Sequence, residues 1–194
     1  SPSKNVAIGD SAMRAMNGTA NGIANCAAIG ANAFYGDATN TTTGTDGTVA
    51  IGKDSLKILT TGGGNVAVGL SSMVATTTGY KTTAIGWSSL YTNVTGYSNT
   101  AIGAEALYYT TSDENVAVGD RAGAYTTGDA NTYVGFKSGF GASGAEANNV
   151  GVGHNSLLAV TTGTSNVAIG KGAGALITSG GSNVMIGISA GDAT

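Results

Sequence analysis

Seven aromatic side chains fall between residues 80 and 125: Tyr80, Trp87, Tyr91, Tyr97, Tyr108, Tyr109 and Tyr125. Flat rings suit stacking on the apolar faces of sugars, and a tyrosine adds a phenol that hydrogen-bonds at its wet end. Other residue sets offer less. His154 is the only histidine, so a Ser-His-Asp relay has one place to be built. It directly follows a glycine, as Asp10, Lys53, Trp87, Asp120 and Lys171 do, and reads as an exposed corner residue. The eleven carboxylates are dispersed; Asp113, Glu114 and Asp120 come nearest to a group and read as solvated. Gly62-Gly63-Gly64 and Gly180-Gly181 are turns rather than phosphate loops, because no helix follows them. No calcium-loop pattern is present. The expectation is therefore no catalytic residue, no metal site and no cofactor.

Composition narrows the class. Glycine is 33 of 194 residues, charged residues are 10%, and 41% of the chain is hydrophobic, against an average glycine usage of about 7%. Proline occurs once and glycine has no period of three, which excludes collagen. A net charge of −3 and a pI near 4.8 supply no basic patch for nucleic acid or anionic lipid. No apolar run reaches the roughly 18 residues of a membrane span, so no membrane insertion is expected. No signal peptide is visible at the polar start. Cys26 is the single cysteine, which rules out an intrachain disulfide and leaves an unpaired small residue or an interchain bridge.

What positions the aromatics is a repeat. Asn166-Val167-Ala168-Ile169-Gly170 is one copy of a module that begins at Asn5-Val6-Ala7-Ile8-Gly9 and ends at Asn183-Val184-Met185-Ile186-Gly187. The closing glycines are Gly9, Gly30, Gly52, Gly69, Gly86, Gly103, Gly119, Gly135, Gly153, Gly170 and Gly187, mostly 16 to 18 residues apart. Isoleucine or valine precedes every one of them, and Asn opens eight of the eleven copies. Period two with β-branched residues predicts a short strand. The natural assignment turns Val and Ile into a core and Ala towards a tight space. On that assignment Ile102→Asp would bury an unpaired charge and disrupt the structure. The glycine should turn a corner with positive φ or close backbone approach. Three residues on comes Ala or Ser, then an apolar plug in seven copies (Met13, Phe34, Leu56, Met73, Leu90, Leu107, Leu157) and glycine in four (Gly123, Gly139, Gly174, Gly191). This predicts a second short inward-facing segment, closed by turns such as Thr126-Thr127-Gly128.

Units this short suit one coil of a β-solenoid, with two short strands and two turns. The chain thus reads as one all-β repeat domain spanning 1–194, a parallel β-solenoid of about eleven coils from about 5 to 191. At about 4.8 Å per coil the rod is roughly 50 Å long. Met16 to Gly22 and Asp37 to Asp46 hold extra length and are expected to protrude. Stacked Asn residues should form a ladder. Tyr91 and Tyr108 share a column with Tyr35 and Phe140, and Tyr80 shares one with Tyr97. Such columns either line an exposed face that contacts a glycan or receptor, or fill a groove between chains.

The string Asn-Val-Ala-Ile-Gly-x-x-Ala/Ser-Leu with intervening Thr-Thr-Gly resembles the head repeats of YadA-type trimeric autotransporter adhesins. It resembles still more the related repeats of phage tail fibres. Thr100-Ala101-Ile102-Gly103-Ala104-Glu105-Ala106-Leu107 is a representative copy, and the resemblance covers residues 5 to 191. It implies left-handed β-rolls associated as a homotrimer in a fibre or adhesin outside the cell, on a virion or a cell surface, with a host receptor or glycan as partner. The adhesin heads repeat nearer fourteen residues, and no heptads follow here, which favours the tail-fibre branch. Visible repeats to both ends suggest a segment of a longer fibre. Two further readings are a filament subunit stacking end to end and, from the Thr-rich turns, ice binding.

Overall fold

A computed structural model describes residues 4–14, 23–36, 42–141 and 144–192. Every repeat contributes one three-residue strand: β1 Val6–Ile8, β2 Ala27–Ile29, β3 Val49–Ile51, β4 Val66–Val68, β5 Thr83–Ile85, β6 Thr100–Ile102, β7 Val116–Val118, β8 Thr132–Val134, β9 Val150–Val152, β10 Val167–Ile169 and β11 Val184–Ile186. They form one sheet in chain order. Every pairing is parallel and keeps the repeat in register, as in Ala84 opposite Ala101 and Ile85 opposite Ile102. The result is an all-β parallel solenoid.

The expected strand faces are reversed. Ala28, Ala50, Ala67, Ala84, Ala101 and Ala117 have no solvent exposure, while Ile102 is 38% exposed. Volume decides the matter. The plugs Phe34, Leu56, Met73, Leu90, Leu107 and Leu157 enter from the opposite wall and are fully buried. They leave room for a methyl group and no more, so Val and Ile take the outside. Ile102→Asp therefore puts its charge on the outer face of the single chain, not in its core.

Among the described residues no coil has the expected second strand. Residues two and four beyond each closing glycine take positive φ, for example Glu105 (53°) and Leu107 (49°). This alternation curls the chain into a turn that aims the plug inward, where an extended segment would run past. It places many non-glycine residues in a conformation costing about 1–2 kcal/mol each, offset by plug burial worth roughly 1.5–3 kcal/mol per side chain. The corner behaves as expected. Gly86 has φ of 139°, and a Cβ there would strike the carbonyl oxygen of Gly103 in the next coil.

The Asn ladder is present and fully buried over its central rungs. Asn149 Nδ2 donates to Asn131 Oδ1 at 3.2 Å, and Asn166 Nδ2 donates to Asn149 Oδ1 at 3.0 Å. Backbone N–H groups join it: Asn131 N donates to Asn115 Oδ1 at 2.9 Å. The Thr-rich turns spend hydroxyls along the stack. Thr76 Oγ1 donates to Asn93 O at 2.7 Å and Thr161 Oγ1 to Thr178 O at 3.0 Å.

Of the two segments expected to protrude, 16–22 and 37–41 lie outside the described residues. Residues 42–46 do not protrude: Thr42 and Thr45 are buried, and Thr43 N donates to Thr60 O at 2.8 Å. Cys26 is 2% exposed and shares its Sγ between Ala24 O and Thr45 O. Burial raises its thiol pKa, so an interchain bridge has no access to it. Native protein should release less than about a tenth of a thiol equivalent to Ellman's reagent, and one equivalent after denaturation; full reaction of the native chain would contradict this burial.

Candidate functional site

The stack converts columns of aromatic residues into rows of rings. Tyr91 and Tyr108 lie parallel with centroids 5.0 Å apart. Tyr108 meets Tyr109 edge to face at 4.6 Å and 69°. Tyr109 stacks on Tyr125 at 5.0 Å, and Tyr125 meets Phe140 edge to face at 4.9 Å and 78°. Four of the seven sequence candidates thus join one array extended by Phe140. Tyr80 and Tyr97 form a separate stacked pair at 4.9 Å. Trp87 is 51% exposed and belongs to neither group.

These geometries differ in what they leave for a ligand. Parallel rings spend their faces on each other and present edges and hydroxyls. Edge-to-face pairs break that pattern, and they flank a cleft. The cleft has a volume of about 380 Å³ and is bounded by Tyr108, Tyr109, Tyr125 and Phe140. Ala124 stands between Tyr108 and Phe140 at the position five residues beyond a closing glycine, and its small side chain lines the cleft.

The cleft also carries a charge pair. Arg121 Nε donates to Glu105 Oε2 at 2.6 Å, with side chains 45% and 22% exposed. The bond to Glu105 raises the guanidinium pKa further. Glu105 and Arg121 each lie two residues beyond a closing glycine in adjacent coils, so stacking sets one above the other. Neither was singled out from the sequence, although opposite charges at one repeat position in successive copies were there to be read. Burial raises the phenol pKa of Tyr108, and the Asp113 carboxylate raises that of Tyr97.

The other polar candidates have structural tasks. Asp113 Oδ1 accepts from Tyr97 N at 2.9 Å, and Asp129 Oδ1 accepts from Asp113 N at 2.9 Å. His154 is exposed and stacks on Phe136 at 5.1 Å. Lys137 Nζ lies 5.2 Å from the Phe140 ring centre, closing one end of the array. Among the described residues no three His, Cys, Asp or Glu side chains gather as metal ligands, and no helix is long and apolar enough to cross a membrane.

The strands display a second surface. Ile29, Ile51, Ile85, Ile102, Val134 and Ile169 are 36–40% exposed, with Val68, Val118 and Val152 half-buried in the coils between them. Together with the residue two places earlier on each strand, Val in seven and Thr83, Thr100 and Thr132 in three, they make one largely apolar stripe along the rod. Soluble monomers rarely expose so continuous a stripe. Comparison with protein-family models, curated proteins and solved structures finds no match to this chain.

Proposed function

We propose that this chain is a non-enzymatic structural segment of an extracellular fibre, of the phage tail-fibre or surface-adhesin kind. It acts as a rigid spacer that associates with copies of itself and can carry recognition on its aromatic face. The observation that carries this reading is the outward Val/Ile stripe. A partner for it must repeat at the same spacing, about 4.8 Å per coil, over the same length. A second copy of the chain does so by construction. Copies aligned in parallel place equivalent isoleucines at one level, and a closed ring of them covers every stripe. The repeat's resemblance to adhesin heads and tail fibres implies that this ring is a homotrimer. Low charge on a surface of this length fits the same reading.

Paired substitutions on the stripe test it. Ile85→Asp/Ile102→Asp places two like-charged carboxylates per chain in the proposed interface, while both side chains face water in the single chain. The variant should sediment as a monomer and keep its β-type circular dichroism. An unchanged mass would show that another face joins the copies, and loss of β structure would show that the stripe belongs to the core after all.

A further inference from the structure

We infer that the cleft around Ala124 binds a neutral saccharide, taking a sugar ring between the aromatic walls with its hydroxyls on the Glu105–Arg121 pair. The inference rests on the fibre reading, which puts this face in contact with surfaces that display glycans, and it names the ligand class of that face.

Three features of the cleft select the ligand. The first is the small residue beside the ring array. Tyr91, Tyr108 and Phe140 occupy the position five residues beyond a closing glycine, and Ala124 occupies it between the last two. Over these four coils Ala124 is the one residue of the column without a ring, Tyr125 beside it supplies the ring that meets Tyr109 and Phe140, and the 380 Å³ opening borders this small residue. Small-molecule clefts run from about 300 Å³ upward, so the opening suits a single sugar ring and its substituents. Tyr108, Tyr109, Tyr125 and Phe140 line the opening, and aromatic carbon complements the C–H face of a pyranose.

The second is unspent hydrogen-bonding capacity. The ion pair uses Arg121 Nε and Glu105 Oε2. Among the described residues neither Nη of Arg121 nor Oε1 of Glu105 makes a hydrogen bond. Two donor groups and one acceptor therefore stand at the rim, beside phenols that both donate and accept. A polyol with vicinal hydroxyls satisfies such a set. A purely apolar ligand would strip water from these groups and return nothing.

The third is charge. Glu105 and Arg121 cancel, and Asp120 also acts on Arg121. An anionic ligand would face two carboxylates against one guanidinium at this edge. A cationic ligand would meet Arg121 beside the very carboxylate it seeks. Neutrality with many hydroxyls is what remains. An open cleft of this size binds weakly alone; copies held side by side at fixed spacing multiply the avidity.

The test is an array of neutral hexose and N-acetylhexosamine oligosaccharides beside sialylated and sulfated ones, probed with wild type and three variants. Wild type should bind within the neutral set. Ala124→Phe, which fills the gap with a residue type the column already holds, should weaken binding roughly tenfold or more. Arg121→Ala, at an exposed position, should do the same without altering the fold. Trp87→Ala, outside the cleft, should leave binding within about twofold. Binding confined to acidic glycans, absence of binding, or binding that survives both cleft variants would overturn the inference. Sedimentation of the same samples separates the two readings: protein that assembles without binding removes the saccharide site alone, and a monomer that binds removes the assembly alone.

Discussion

Replacing Tyr133 with alanine is expected to destabilise the solenoid by about 3–5 kcal/mol, the usual cost of emptying a large buried aromatic site. Tyr133 occupies the inward strand position that alanine holds in eight of the other ten strands, and it is fully buried. Its neighbours have shrunk to receive it. A Cβ at Gly139 would strike the Tyr133 ring, one at Gly123 would lie 3.1 Å from it, and one at Gly151 also 3.1 Å. The four copies with glycine in place of an apolar plug are thereby explained. Two surround Tyr133, and Gly174 and Gly191 surround Met185 in the same way. The exchange can be reversed. Gly139 has φ of 58°, close to the 45–50° of Leu56, Leu90, Leu107 and Leu157 at the equivalent position, so leucine fits its backbone. Gly139→Leu alone should be severely destabilising, because the ring is already there. Tyr133→Ala/Gly139→Leu restores the ordinary alanine–leucine pairing and should recover at least half of either single loss, a coupling of roughly 2–3 kcal/mol. Urea melts of the four proteins measure it. Additive losses would mean that strand and plug do not share one space.

Stability should also fall as pH rises from 4.5 to about 7, because of Glu146. This side chain is fully buried, and neither carboxyl oxygen has a hydrogen bond of normal geometry; Thr126 Oγ1 and Tyr133 Oη, beside it, lack partners as well. Burial pushes its pKa from 4.5 to about 7. Tyr133 is the titratable group packed against it, and burial raises that phenol far above its ordinary value; no cation acts on the carboxyl. The folded form thus holds the proton more tightly than the unfolded chain. Its contribution is fully present below pH 4.5, is lost as pH rises through 7, and then levels off. A shift of this size corresponds to roughly 3 kcal/mol at most, and to about 2–4 °C in melting temperature per kcal/mol for a chain of this length. Wild type should melt lower at pH 8 than at pH 5, while Glu146→Gln should melt alike at both and above wild type at pH 8. The same slope in both proteins would place the titrating group elsewhere. Asp54, whose carboxyl pKa burial raises but the combined hydrogen bonds and charges of Lys57, Asn32 and Lys53 bring below its ordinary value, acts at lower pH and leaves this window clear.

The repeat made strands, register, corner glycines and the Asn ladder legible, because each depends on a residue type recurring at one position. The sheet face was not legible. Hydrophobicity ranks isoleucine above alanine for burial, but a three-residue strand opposite a leucine plug leaves room for a methyl group only. Nor were the left-handed turns, since Leu56 or Leu107 carries no turn signature and takes positive φ only because the stacked coil demands it. The Tyr133 and Met185 exchanges were present in the columns as large residues bracketed by glycines. The aromatic rows followed from the columns, but the cleft follows from an absence at Ala124 and from Glu105 lying under Arg121, which become meaningful only once coils stack.

The proposal that copies of the chain cover the outward Val/Ile stripe is best tested by sedimentation equilibrium of the wild-type chain at micromolar concentration. The expected mass is three times the 18.8 kDa of the single chain, constant across the concentration range. A mass of one chain, or one that climbs without limit as concentration rises, would contradict it.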